Sequence, residues 1–384
     1  VIEKEGGEMG QTLPGAEAAR RFFQLDVMRA LAALLMINFY ALIYYGDSAA
    51  VDSTYGFFVS FLGGPAVAPV FTLLMGIFIV YPRNVGMRQG CQRGVQLIVL
   101  GYVLSYLRYY LPLSLGWVEK LSLRGGSLWW DFVWEVDLLQ FAGLALVLLT
   151  LLVHFFPHWR LWMVLAGGVV LIAPYLWGTR GAGQFWIWLG NLFWGTTAGY
   201  VWYPLFPWLA FPLCGMCFGK FLRRSRDLGV TAQRFAFPGF ILLAIATLIV
   251  VLDLEAQLGD FYRSGPGALI WMISSIFLGI CLMTLLPDGL QFNLAGRFCS
   301  FWSRNITIIY CIQWVLIGWA AHWLPYQRLN LVEVVGFAGV VVMVTHLLTL
   351  AYMRLIVSVM KKDAAKSIAP SKAMGGKKDF SSTK

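Results

Sequence analysis

The chain has 384 residues, of which 59% are hydrophobic and only 12% charged, and it carries a formal net charge of +10. With a mean hydropathy of +0.71, that composition excludes an ordinary soluble domain. Apolar runs of about 18 or more residues recur throughout without the alternation of barrel strands, so the expected fold is an all-α, polytopic membrane bundle.

Residues 1–19 are polar and acidic and are expected to form a cytoplasmic tail, with no pattern of a cleavable signal. The membrane domain is expected over 20–358, opening with Arg20-Arg21-Phe22-Phe23-Gln24-Leu25-Asp26-Val27-Met28-Arg29 and an apolar run to Tyr45. Asp26 and Arg29, three apart, share one face at the mouth of this first span. Charge beside hydrocarbon is costly, so the two should be paired and turned toward protein or water. The plainer reading of the same spacing is an ion pair at a helix start with a snorkelling arginine. Asn38 follows Arg29 by about two and a half turns.

About ten spans are expected, the third over Val95–Leu111 and the ninth over Asn305–His322. Two stretches between spans are longer than connection requires. Trp117 to Asp137 and Gly178 to Trp202 mix tryptophans with acids, amides and glycines, as interface belts and sugar-binding surfaces both do. Glu135 and Asp137 stand at the outer entry of the fourth span, with Gln140 on the same helical face as Asp137. Cys214-Gly215-Met216-Cys217 has CxxC spacing, but it lies in an apolar run with no second pair or histidine near it, so no metal site is expected. Of the four histidines, only His346 falls near the middle of a span, where a neutral imidazole with one helix or side-chain partner is the expected state. Residues 359–384, rich in Lys, Ser, Ala and Gly, read as a basic, disordered tail.

Charge placement sets the orientation. Arg20/Arg21, Arg83/Arg88/Arg93, Lys220/Arg223/Arg224/Arg226, Arg297/Arg304 and the tail fall on one side, and most acids on the other. Both termini are therefore expected in the cytoplasm. The positive excess serves orientation, and no nucleic-acid partner is expected. No phosphate-binding loop, nucleophile elbow or zinc-protease motif stands in a credible setting.

Five stretches, in order, carry a family resemblance. Leu25-Asp26-Val27-Met28-Arg29-Ala30 running on to Asn38 is similar to the opening signature of the transmembrane acyltransferases, and within them to the heparan-alpha-glucosaminide N-acetyltransferase-like branch. Gly64-Pro65 through Met75-Gly76 resembles that family's second helix, and Asp137-Leu138-Leu139-Gln140-Phe141-Ala142-Gly143 its leucine-glutamine-glycine helix. Tyr203-Pro204-Leu205-Phe206-Pro207-Trp208 resembles its proline-tryptophan segment, and Ser303-Arg304-Asn305 through Gln313 its late helix.

The resemblance implies transfer of an acyl group from a cytoplasmic donor, acetyl-CoA or another acyl-CoA, to a glycan or lipid-linked acceptor across the membrane. It implies Asp26 and Asn38 as catalytic candidates, with Asp26 orienting Arg29 and Asn38 bonding the thioester oxygen. Arg21 and Arg29 would meet donor phosphates, with Gln140, Trp208 and Gln313 as further substrate-binding candidates. The chain departs from the family pattern at three places: Asn38 and Gln313 stand where relatives carry histidine, and Ala30 where they carry glycine. Neither amide takes a proton near neutral pH. A catalytically silent subunit of a larger membrane complex is therefore carried as the alternative, and a lipid or glycan transporter as a third reading. The expected home is the bacterial cytoplasmic membrane. A fluorescent protein that matures only in the cytoplasm should light up when fused after Lys384 and stay dark when inserted between Gly178 and Trp202. The reverse pattern would invert the topology.

Overall fold

The computed structural model describes residues 22–64, 67–81, 86–115, 135–179, 183–195 and 201–368. The principal helices are α1 (Phe23–Tyr45), α2 (Thr54–Gly63), α3 (Val67–Val80), α4 (Met87–Ser105) and α5 (Leu138–Phe155). They continue as α6 (Trp159–Leu176), α7 (Ala210–Ser225), α8 (Leu228–Leu252), α9 (Pro266–Met283), α10 (Leu294–Arg304), α11 (Ile306–Ala320) and α12 (Leu331–Ile368). Among the described residues, eight helical stretches are long and apolar enough to cross a bilayer, α2 and α3 counting as one. Of the ten expected spans, the third falls on the end of α4 and a following π turn, Tyr106–Tyr110. The ninth falls on α11, apolar but only 15 residues long. α12 runs on to Ile368, into the expected tail, because Lys361, Lys362, Ala364 and Ala365 are good helix formers.

α1 is the wall shared by two cores. Leu25, Met28, Ala32 and Met36 pack with α3, α5, α6, α7 and α9. Ala30, Ala33, Ile37, Ala41, Leu42 and Tyr45 pack with α10, α11 and α12. Its alanines let neighbours approach closely, which is how membrane helices associate when water supplies no driving force between them.

Two short backbone bridges fix the ends that matter. Leu329 pairs with the C-terminal end of α1 through Leu329 N–H to Tyr45 O (2.8 Å) and Asp47 N–H to Leu329 O (2.8 Å). Trp202 N–H donates to Val136 O (3.1 Å), tying the segment before α7 to the entry of α5.

The tightest helix contact is α3 on α7. A Cβ on Gly76 would lie 2.0 Å from Pro212 O, and one on Gly215 2.0 Å from Leu73 O, so only glycine permits this approach. Gly76→Leu should lower thermal stability in detergent by about 3 kcal/mol. Gly167→Leu on α6, with nothing within 4 Å of its Cβ position, should leave it unchanged. Equal unfolding temperatures for the two variants would refute the packing argument.

Candidate functional site

α1 carries polar groups at both ends and one between. At its N-terminal end, Asp26 is buried and accepts a hydrogen bond from Ser303 Oγ of α10 (2.6 Å). Arg29, one turn on, lays its guanidinium over the Phe78 ring of α3 (4.3 Å to the centroid). Arg21 lies outside the described residues. In the middle, Asn38 donates from Nδ2 to Leu34 O (2.8 Å) and accepts from the Tyr55 hydroxyl at Oδ1 (2.7 Å). Its amide is thus engaged at both atoms.

The C-terminal end of α1 holds a denser assembly, centred on a residue that the sequence reading passed over. Arg108 is 8% exposed and sits within the π turn that ends α4. Its Nη2 donates to the Tyr44 hydroxyl (3.0 Å), and its Nη1 faces Asp137 Oδ2 at 3.8 Å. The guanidinium stacks over the Trp314 ring, 3.5 Å from the centroid, with Tyr109 at 4.5 Å on the same group. Stacking of this kind gains strength when both partners are desolvated. The room for Arg108 comes from Gly318, where a Cβ would lie 2.9 Å from Arg108 Cγ.

Asp137 caps α5 and is fully used. Its Oδ1 accepts from Leu138 N–H (2.7 Å), and its Oδ2 accepts from the Tyr310 hydroxyl (3.2 Å). Gln140 completes the capping box by accepting from Asp137 N–H (3.3 Å) and donates to Glu135 O (3.2 Å). Glu135 is 2% exposed, with Tyr109 hydrogen-bonded to its carboxylate and Arg108 close enough to act on it electrostatically. Tyr40, 4.2 Å from Trp314 ring to ring, carries the cluster toward Tyr203 and Tyr262. Trp208 closes that side: it is wholly buried, bonds Tyr262 O through Nε1 (3.0 Å) and packs on Tyr203 at 4.7 Å.

Glu135 Oε2 and Trp314 Nε1 meet no hydrogen-bond partner among the described residues, and Gln313 departs furthest from this economy. It is wholly buried on the α11 face that also presents Tyr310 and Trp314, and neither Nε2 nor Oε1 has a partner among the described residues. The fold therefore brings Gln140 onto Asp137 and Trp208 onto the adjoining Tyr203 and Tyr262, with Gln313 on the helix that supplies Tyr310 and Trp314, while Asp26 and Arg29 stand at the other end of α1. From Asp26 to Tyr44 the helix rises about 27 Å. His346 has a structural partner: its Nδ1 accepts from Trp302 Nε1 (3.1 Å), and Phe298 and Phe301 lie against its ring. Arg108 had one available signal, a lone cation among tyrosines inside an expected span, where ionisable groups mark function more often than not.

Chemically, this assembly is a buried cation between carboxylates, ringed by tyrosine hydroxyls. Such a site can bind a polar group, align it and polarise it. A family model described as heparan-alpha-glucosaminide N-acetyltransferase, catalytic, matches residues 21–252. The match takes in Asp26, Arg29, Asn38, Arg108, Glu135, Asp137, Gln140 and Trp208, and stops short of α11 with Tyr310, Gln313 and Trp314. No curated protein matches the chain. With well over half of its length matched and an all-α membrane bundle around the site, the chain belongs to the heparan-alpha-glucosaminide N-acetyltransferase catalytic-domain family.

Proposed function

We propose that this protein moves an acetyl group from acetyl-CoA on the cytoplasmic side to a hydroxyl or amine of a glycan or lipid-linked acceptor at the outer face of a bacterial cytoplasmic membrane. The observation that carries the reading is Gln313, a wholly buried amide with open hydrogen-bonding atoms on the helix that supplies Tyr310 and Trp314 to a cation–carboxylate–tyrosine cluster. Buried polar atoms without partners are rare in folded proteins and mark places where something else binds.

Roles follow from what each side chain has left to give. Arg21 and Arg29 meet the phosphates of the donor at the inner mouth. Asp26, held by Ser303, keeps the inner end of α1 in register with α10 and sets the field in which Arg29 works. The thioester oxygen is bonded by Gln313 rather than by Asn38, whose amide already serves Leu34 and Tyr55. A donor aimed at the oxygen where negative charge develops lowers the barrier to acyl transfer. Gln140 and Trp208 act as supports, the first fixing Asp137 and Glu135, the second fixing Tyr262.

A second reading has its own observation. Neither Asn38 nor Gln313 is a proton acceptor, and α8 turns Phe237, Phe240, Leu248, Val251 and Leu252 outward. A silent member of the family, bound through that face to other membrane subunits, is consistent with both facts. The test is release of CoA from acetyl-CoA by the full chain in lipid nanodiscs. Wild type should exceed Gln313→Ala by about 10²-fold and should also exceed Asp26→Ala. Three equal rates, together with stoichiometric partners when the protein is drawn from its native membrane, would establish the accessory role instead.

A further inference from the structure

The outer cluster sets two carboxylates against one guanidinium, and the two are unequally committed. Asp137 uses both oxygens, on Leu138 N–H and on Tyr310 and Arg108. Glu135 does not. It is as deeply buried as the core around it, its carboxylate bonds Tyr109, and yet its Oε2 meets no donor among the described residues. A carboxylate oxygen left dry and unpaired is costly to the fold. Nothing about α5 requires that cost, since Asp137 and Gln140 already cap the helix. The position of Glu135 is nevertheless tightly set: its carbonyl accepts from Gln140, and the next residue is bridged to Trp202. No histidine contacts Arg108, Asp137 or Glu135 among the described residues.

We propose that Glu135 is the proton acceptor of the transfer reaction, an assignment that rests on the acetyltransferase reading above. The nucleophilic oxygen or nitrogen of the acceptor forms a bond to the acetyl carbonyl carbon while its proton passes to Glu135 Oε2. The carbonyl oxygen takes up the displaced electron pair, facing the open amide of Gln313. Collapse restores the carbonyl and breaks the carbon–sulfur bond, and the CoA thiolate leaves with its electron pair. The proton on Glu135 returns to that thiolate or to water, and the site is reset. Arg108 and Tyr109 hold the carboxylate in place throughout, as the partners of a general base must.

Two nucleophiles separate this role from a merely structural one. Water needs a base to attack a thioester at neutral pH, whereas hydroxylamine, largely unprotonated there and strongly nucleophilic, does not. The full chain in nanodiscs is given acetyl-CoA with water alone or with hydroxylamine, and CoA release is followed by thiol titration. Glu135→Gln should slow the water reaction by about 10²-fold, while the hydroxylamine reaction stays close to the wild-type rate. A Glu135→Gln protein that hydrolyses acetyl-CoA as fast as wild type overturns the assignment, and one that loses both reactions equally shows Glu135 to be structural. If wild type releases no CoA with either nucleophile beyond empty nanodiscs, it is the transferase reading that falls, and this assignment with it.

Discussion

A guanidinium buried inside a lipid-embedded bundle has to be neutralised, and much of the arrangement here can be read as the means. Arg108 is met from every direction: Tyr44 from α1, Tyr109 from its own turn, Asp137 from the entry of α5 and Trp314 from α11. Removing one partner of such a set leaves charge stranded where water cannot reach, at a cost of about 3–5 kcal/mol. Four elements distant in sequence are therefore held to one geometry by a single side chain. The backbone bridges at Leu329 and Trp202 serve the same end, since they fix Tyr44 and the Glu135–Asp137 segment before any side chain is considered.

α1 joins this assembly to the Asp26–Ser303 contact at its N-terminal end. Because it is common to two cores, a displacement at either end is resisted along its whole length. The acid at one end and the tyrosines at the other are thus fixed in relative height by a continuous helix.

Much of this was legible in the sequence, for physical reasons that differ from element to element. Hydropathy marked α1, α5, α6, α8, α9 and α12 because a bilayer demands long apolar runs. It was less decisive for α4, which carries Arg88 and Arg93 in its first turns, and for α11, which is short. Asp26 stood out because acid beside hydrocarbon is conspicuous, and Gln140 because it shares a helical face with Asp137, whereas the capping box they form is seen only in the structure. Arg108 did not stand out, since tyrosines on either side make it look like an interface residue and its partners come from segments with no sequence relation to it. The difference between Asn38 and Gln313 was invisible as well. Both are amides in expected positions, and only tertiary structure shows one satisfied and the other open.

The π turn at Tyr106–Tyr110 has a consequence of its own. Upstream of it, α4 is locked to α5 by close approach at Gly94 and Gly101, where side chains would strike Gly143 and Gln140. A regular helix would have carried that phase straight on and dictated where the next cation points. One widened turn uncouples the two, so the bundle's tight seam and the aim of its guanidinium are set independently. Mutational drift in the seam can then be absorbed without swinging the charge out of register, an arrangement that lets a membrane scaffold change while its polar centre stays where it is.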